Sequence, residues 1–181
     1  LWNYGTSASA TVMDYCKSAV NVFSFQIGIK FHKYHENLIG SALEDKHIPC
    51  RQKFIRYDIN SGREVTRIKD AHSDELFTID FNPHNENIYL TGSKDSSIIL
   101  WDIRKPDFKL HAFENHTEAV NLIYLGSESR VVPYDPQIFL SCSEDNRVNL
   151  WHLGKIGDET KQDENTDGPQ ELVFTHRGHL N

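Results

Sequence analysis

The sequence has no long hydrophobic run. Its 181 residues contain no stretch of ~18 consecutive apolar residues, so no helix that spans a membrane is expected. The N-terminal segment lacks the basic stretch and the apolar block of a secretory signal. It also lacks an initiator methionine, and we therefore expect the chain to be a piece of a longer protein.

Cysteine and the common cofactor motifs are also scarce. The three cysteines, Cys16, Cys50 and Cys142, are odd in number and form no C-x-x-C pair, which indicates a reducing compartment. No G-x-S-x-G segment, G-x-G-x-x-G segment or phosphate-binding loop occurs. The sequence therefore predicts no cofactor. It contains neither the nucleophile-elbow motif of hydrolases nor a nucleotide-binding motif.

Two histidine pairs have a spacing found among metal ligands. His32 and His35 are separated by two residues, as are His176 and His179. Neither pair has cysteine or acidic partners at ligand spacing. We expect these to be loop histidines, and we predict no metal site.

The composition is that of a folded protein, with 38% hydrophobic, 11% aromatic and 25% charged residues. The net charge of −7 is unevenly distributed. Residues 1–69 hold ten basic and six acidic residues, whereas residues 70–181 hold nine basic and twenty acidic ones. Such a field repels nucleic acid and attracts basic partners, although charge alone fits a merely soluble surface equally well.

An internal repeat organises the chain. Residues 71–103 and 115–153 each contain a histidine, an alternating apolar stretch, a Ser-x-Asp turn and an apolar run that ends in tryptophan. The two histidines are 44 residues apart, and each Asp precedes its Trp by six residues. A period of about 40–45 residues is that of a four-stranded propeller blade. The segment from Leu76 to Phe81 alternates as a strand does, and Asn82 begins a turn.

The pattern resembles the WD40 repeat, whose name-giving dipeptide is Trp101-Asp102 here and is degenerate at Trp151-His152. The resemblance implies an all-β WD40 β-propeller, with about three four-stranded blades of a seven-bladed ring. The predicted units are the end of a blade at 1–4, an irregular blade at 17–69, blades at 70–114 and 115–176, and the start of another at 177–181. The last full blade contains an acidic insertion at 154–171. The irregular blade has excess residues near 28–34 and 46–51, which are either loops or errors in the gene model.

In the WD40 family a His, a Ser or Thr, an Asp and a Trp form a buried hydrogen-bonded chain that supports the blade. Carried over, the sets are His72, Ser93 or Thr91, Asp95 and Trp101, and then His116, Ser143 or Ser141, Asp145 and Trp151. A buried indole N–H needs an acceptor, which makes the role plausible. Because Ser, His and Asp recur here at the blade period, they favour a scaffold over a catalytic triad.

The insertion after Trp151 is the most informative segment. Between Asp158 and Glu171 it holds six acidic residues and a single lysine. Loops of this length in a compact blade are either functional or solvated spacers. The order Lys155-Ile156-Gly157, an acidic spacer, Asp167-Gly168-Pro169 and then Glu171-Leu172-Val173-Phe174 resembles the histone-binding WD40 family, as does Lys109-Leu110-His111. That family includes the small subunit of chromatin assembly factor one, the WD40 subunit of the type B histone acetyltransferase and the retinoblastoma-binding histone chaperones.

The resemblance implies two binding sites. In the family an acidic loop binds a helix of a core histone, and its counterparts here are Asp158, Glu159, Asp163, Glu164, Asp167, Gly168 and Pro169. Gln170 departs from the family, which has a second proline there. A weaker expectation is a peptide site on the top face of the ring, at Glu44, Asp45, Glu75, Phe77, Glu118 and Asn121.

The function implied is a non-enzymatic histone-binding chaperone or adaptor subunit of chromatin assembly and modification complexes. Its expected partners are core histones and other subunits of those complexes, with no direct contact to nucleic acid or membrane. We expect a nuclear location, with the cytoplasm as a further one. The alternatives are a general WD40 scaffold for ribosome assembly or ubiquitin-ligase substrate recruitment and, from a different class, an enzyme built on a propeller.

Overall fold

A computed structural model describes residues 28–32, 34–35, 37–44, 52–58, 61, 63–69, 71–126, 135–157 and 168–177. Within them the chain forms three four-stranded sheets, each antiparallel throughout and each built from strands consecutive in sequence. The first sheet contains β1 (Ile29–Phe31), β2 (Leu38–Glu44), β3 (Gln52–Asp58) and β4 (Arg63–Lys69). The second contains β5 (Leu76–Phe81), β6 (Ile88–Ser93), β7 (Ile98–Asp102) and β8 (Lys109–Phe113). The third contains β9 (Val120–Leu125), β10 (Ile138–Ser143), β11 (Arg147–His152) and β12 (Leu172–Arg177).

The three sheets stack face to face in chain order, and we call them the first, second and third blades. Their inner strands are neighbours, because the β9 backbone donates to side chains of β5. Leu125 N lies 2.8 Å from Asp80 Oδ2, and Ile123 N lies 3.4 Å from Thr78 Oγ1. This arrangement is part of a β-propeller, and it confirms the predicted all-β fold. No helix in the described part of the chain is long and apolar enough to cross a membrane.

Apolar side chains fill the spaces between successive blades. Ile68 of the first blade packs with Ile79, Tyr89 and Trp101 of the second. The opposite face of the second blade packs against the third blade through Leu90, Ile98, Phe113, Phe139 and Trp151. The second blade is covered on both sides, so its central strands bury residues on both faces, and all five residues of β7 are buried. A strand covered on both sides favours a continuous apolar run, as in Ile98-Ile99-Leu100-Trp101.

The outer strand of every blade carries a β-bulge at the same place. The pairing skips one residue beside the aromatic residue of the third strand, and the extra residues are Val65, Leu110 and Val173. A bulge interrupts the alternation of side chains along a strand. Leu110 and Val173 are accordingly exposed, at 48% and 41% of their surface.

The start of the first blade differs from the prediction. The prediction treats residues 28–34 as excess residues of this blade. In the structure Ile29–Phe31 is itself a strand and pairs with Ile39–Ser41 of β2. Gly28 precedes it, where a Cβ atom would come within 3.0 Å of the Phe77 carbonyl oxygen. The close approach of the β5 backbone therefore favours glycine at this position.

Candidate functional site

The predicted hydrogen-bonded chains are present in the second and third blades. Trp101 Nε1 donates to Thr91 Oγ1 at 2.8 Å, and Thr91 Oγ1 lies 2.8 Å from His72 Nε2. His72 Nδ1 lies 3.2 Å from Asp95 Oδ2. Of the two hydroxyls the sequence left open, Thr91 is in the chain, while Ser93 bonds the Asp74 carbonyl and the Asp95 N–H. Thr91, not Ser93, therefore lies opposite the indole, which decides between the two alternatives.

The third blade repeats the arrangement. Trp151 Nε1 donates to Ser141 Oγ at 2.8 Å, Ser141 Oγ lies 2.8 Å from His116 Nε2, and His116 Nδ1 lies 2.9 Å from Asp145 Oδ2. Because the serine accepts from the indole, its own proton is free for His116 Nε2, and Nδ1–H then donates to the carboxylate. Ser143 is again outside the chain and bonds the Glu118 carbonyl.

These histidines and carboxylates are shielded from solvent. The His72 and His116 side chains are 0% and 1% exposed. Burial by itself raises the pKa of Asp95, but hydrogen bonds from His72 and Ser97 outweigh it and hold that pKa well below its usual range. Burial likewise raises the pKa of Asp145, and His116 and the Thr117 N–H more than compensate. The groups hold the turns between strands and offer no open face to a substrate.

The first blade has a hydroxyl at the equivalent position. Ser41 pairs with Ile55 as Thr91 pairs with Ile99, so it occupies the equivalent position on the second strand. It is 1% exposed, and its Oγ has no hydrogen-bond partner in the structure as described. A buried hydroxyl without a partner costs free energy.

The acidic loop enters from a short 3-10 helix, Leu153–Lys155. His152 caps that helix, since its Nδ1 accepts the Gly154 N–H at 3.0 Å. In the second blade the Asp102 carboxylate does the same for the Arg104 N–H at 2.8 Å, which explains how histidine replaces aspartate at this point of the repeat. Leu153 and Ile156 then pack against the core between the blades. Gly157 adopts φ +77°, a left-handed conformation that favours glycine, and the loop begins there.

The loop returns through a turn built on Gly168 and Pro169. Leu172 N donates to the Pro169 carbonyl at 3.0 Å. Gly168 has φ +150°, and a Cβ atom there would lie 2.6 Å from Leu172 Cδ2, so the position requires glycine. Leu172 is buried in the core between the second and third blades. The predicted binding residues Gly168 and Pro169 thus anchor the end of the loop.

Glu171 fastens the two ends of the loop to each other and to the neighbouring blade. Its backbone carbonyl accepts the His152 N–H at 2.8 Å, which joins the end of β11 to the residue before β12. Its carboxylate lies 2.8 Å from His111 Nε2 on the outer strand of the second blade. Glu171 is 8% exposed, so this acid of the insertion is part of the scaffold. Sequence reasoning counted it only among the loop acids.

The remaining acids of the loop, Asp158, Glu159, Asp163, Glu164 and Asp167, lie outside the described residues. Beside the loop exit, Val173 and Phe174 are exposed, the latter at 57%. Sequence reasoning did not propose these apolar side chains as site residues. Three successive apolar residues at Leu172, Val173 and Phe174 cannot all face one core, and this was the available signal.

The predicted top-face residues that the structure describes lie at the end of the blades opposite to the acidic loop. Phe77 and Asn121 are each the extra residue of a β-bulge in an inner strand, at the same place in the second and third blades. Bulges redirect side chains and are frequent beside functional sites. Glu44 ends β2, its side chain is not described, and Asp45 lies outside the described residues.

The charges near these bulges are partly paired. Glu75 Oε2 lies 3.5 Å from Lys94 Nζ, and Asn121 donates to Glu144 Oε1 at 3.2 Å. Glu118 is exposed, and its backbone carbonyl accepts a hydrogen bond from Ser143. The structure therefore brings Asn121 to Glu144 and Glu75 to Lys94, while no direct contact joins Glu75 to Glu118 within the described part of the chain.

The first histidine pair has a structural role. His32 is buried, and its Nδ1 accepts the N–H groups of Tyr34 and His35 at 3.2 and 3.1 Å. Its Nε2 then donates to the Glu86 carbonyl at 2.8 Å, which ties the first blade to the β5–β6 turn. No group of three or more His, Cys, Asp or Glu side chains able to hold a metal occurs among the described residues.

Comparisons with known proteins agree with this geometry. A family model described as "WD domain, G-beta repeat" matches residues 63–102 and 108–152. The RbAp48-related WD40 repeat-containing protein prw1 of Schizosaccharomyces pombe is 33% identical over 177 residues, which cover 97% of this chain and 38% of that protein. Histone acetyltransferase type B subunit 2 of Debaryomyces hansenii is 30% identical over 158 residues, covering 83% of this chain and 35% of that protein.

The chain thus carries WD40 repeats, in a partial β-propeller. Over most of its length it is homologous to histone acetyltransferase type B subunit 2 and to RbAp48-related proteins. It spans about a third of the length of these relatives. The family resemblance deduced from the sequence is confirmed.

Proposed function

We propose that this chain is part of a non-enzymatic histone-binding adaptor of chromatin assembly and modification complexes, and that its acidic loop binds a helix of a core histone. The observation that carries the proposal is the anchoring of the loop. Hydrogen bonds from His152 N and His111 hold Glu171, and Ile156 and Leu172 are packed in or against the core. A loop whose ends are fixed this firmly presents its carboxylates from a defined corner of the blade.

The chemistry of that corner fits a basic amphipathic helix. Five acids between Asp158 and Asp167 are opposite in charge to the Lys and Arg of a histone. Exposed Val173 and Phe174 stand where the loop rejoins the blade and offer contacts to an apolar face. The names of the relatives, which refer to a histone acetyltransferase and to RbAp48, support a histone partner and a nuclear location.

The non-enzymatic part of the proposal rests on the buried Ser/Thr, His and Asp sets. Each histidine is enclosed and bonded through both ring nitrogens, so it is not available as a base. We further propose that the bulge residues Phe77 and Asn121, with Glu44, Asp45, Glu75 and Glu118, form a second site for a basic peptide at the opposite end of the blades.

The test is charge reversal of Asp163, Glu164 and Asp167 to Lys in the full protein, with binding to histone H3–H4 measured by fluorescence anisotropy at physiological salt. Because an interfacial ion pair contributes up to about 1 kcal/mol, we expect affinity to fall by at least about tenfold. A matched control reverses Asp74, Glu86 and Glu114, which are accessible acids that belong to neither proposed site. Unchanged affinity of the loop variant would refute the acidic loop as the histone-binding site and would favour a general WD40 scaffold.

A further inference from the structure

The corner between β7 and β8 of the second blade has an exposed apolar surface. Phe108, just before β8, is 71% exposed, the largest value among the described large apolar side chains, and Leu110 is 48% exposed. Leu110 is the extra residue of the outer-strand bulge, which removes it from the alternation that places Ala112 against one core and Phe113 in the other. We call Lys105, Phe108, Lys109 and Leu110 the β7–β8 corner.

Backbone hydrogen bonds fix the conformation of the β7–β8 corner. Lys105 N donates to the Asp102 carbonyl at 2.9 Å, and Phe108 N donates to the Lys105 carbonyl at 3.2 Å. Asp102 also holds the Arg104 guanidinium, with Oδ2 and Nη2 2.7 Å apart. Two successive turns therefore fix the segment that leads to Phe108, so that its exposed ring stands on a defined support.

The corner is a positive spot in a strongly negative region. Residues 70–181 contain nine basic residues, and three of them, Arg104, Lys105 and Lys109, fall within six positions. Asp102 neutralises Arg104, and the exposed Asp107 lies between the two lysines, so residues 102–110, with three basic and two acidic side chains, retain a net charge of +1. Lys105 and Lys109 are exposed and form no salt bridge within the described part of the chain. The same connection in the third blade is the acidic insertion, so neighbouring blades carry opposite charge at equivalent places.

We propose that the β7–β8 corner binds an acidic, apolar segment of a partner protein. The two lysines attract carboxylates, while Phe108 and Leu110 take up one or two large apolar side chains between them. A basic segment, which is the partner proposed for the acidic loop, is repelled by these two lysines. The corner therefore selects a different part of a partner, or a different partner, from the loop.

The probe is a fluorescein-labelled synthetic peptide of alternating acidic and Leu/Phe residues, titrated by anisotropy against the full protein. Two control peptides replace its acids with Lys or its Leu and Phe with Ala. We expect measurable binding of the acidic apolar peptide alone, weakening as salt is added because exposed charges are screened. Absence of binding, or equal binding of the lysine peptide, would overturn the proposal.

Two double variants locate the site: Lys105→Glu with Lys109→Glu, and Phe108→Ser with Leu110→Ser. Each should weaken peptide binding at least about tenfold and leave histone affinity unchanged, which keeps this test independent of the acidic loop. Matched controls are Arg177→Glu, on the outer strand of the third blade, and Phe31→Ser, on the inner strand of the first. Equal losses in the controls, or no loss in the double variants, would contradict the assignment.

Discussion

His111 Nε2 lies 2.8 Å from Glu171 Oε1, and this contact joins the outer strand of the second blade to the base of the acidic loop of the third. Glu171 is almost fully enclosed, so it cannot itself reach a partner. It acts instead as a positioning residue, since the same amino acid also receives the His152 N–H through its carbonyl. The geometry of the loop therefore depends on a neighbouring blade.

Glu171→Ala should weaken histone binding although the side chain does not touch the partner. It leaves His111 without its acceptor and should cost about 1–3 kcal/mol in the free energy of unfolding. Glu171→Gln retains an acceptor oxygen and should restore most of both quantities. Urea denaturation and histone titration of the full protein check this. Equal affinity of the Ala variant and the wild type would show that the loop is positioned by other contacts.

Trp101→Ala should destabilise the fold by about 3–5 kcal/mol, because it removes a buried indole between the first and second blades. Trp101→Phe keeps a ring near Tyr89 but loses the hydrogen bond to Thr91, so it should cost less. Thermal and urea denaturation measure both. A Trp101→Ala protein with an unchanged Tm would argue against the blade packing.

Equivalent serines should respond in opposite ways. Ser141→Ala leaves the Trp151 N–H and His116 Nε2 without their shared partner, and about 1–3 kcal/mol of stability should be lost. Ser41→Ala removes a buried hydroxyl whose Oγ has no partner in the described structure, and should be neutral or slightly stabilising. The pair is measured by urea denaturation. A similar loss in both variants would mean that Ser41 has a partner in solution.

The Asp80 carboxyl group should destabilise the folded state as the pH rises. Burial raises its pKa, and the Leu125 N–H and Lys30 only partly oppose that. A raised folded pKa contributes stability below the unfolded value of about 3.9, and the contribution is lost as the pH rises through the folded pKa. Asp80→Asn keeps an acceptor for Leu125, so its stability relative to wild type should increase between acidic and neutral pH. A difference that is independent of pH would contradict this.

The pKa of Asp95 is shifted in the opposite direction, so its contribution to stability changes with pH in the opposite sense. Its pKa is lowered, so its contribution is present above the unfolded value of about 3.9 and is lost as the pH falls through the lower folded pKa. Asp95→Asn should therefore be less stable than wild type at neutral pH, and the gap should narrow in acid. Urea denaturation at several pH values tests it. A gap that widened in acid would refute the assignment.

The sequence predicted the repeat well, because each blade is a local unit with strong signals. Trp101 and Trp151, the Asp residues six positions earlier and the two histidines identified the hydrogen-bonded chains without any structure. The sequence left the choice between Thr91 and Ser93 open, since both hydroxyls precede the turn and only the pairing with Ile99 decides which one lies opposite the indole. The short β1 was missed because three residues carry too little alternation to mark a strand.

The candidate site was less accessible to sequence reasoning. The roles of Ile156, Gly157 and Gly168 follow from packing and from positive φ angles. A sequence motif identifies these residues but does not show the packing or the backbone conformation that requires them. The contact of His111 with Glu171 spans 60 positions along the chain and belongs to no local pattern. Which acids of the loop meet a partner stays a prediction.

The two stretches matched by the WD40 model, 63–102 and 108–152, do not coincide with the sheets. The first stretch begins at β4 and ends at β7, and the second runs from β8 to β11. The first strand of each repeat therefore belongs to the sheet of the preceding blade. An evolutionary duplication of one such unit would leave no loose strand at either junction. The sheet edge left open in one repeat is filled by the first strand of the next repeat. A ring built this way can gain or lose whole blades while every sheet keeps four strands.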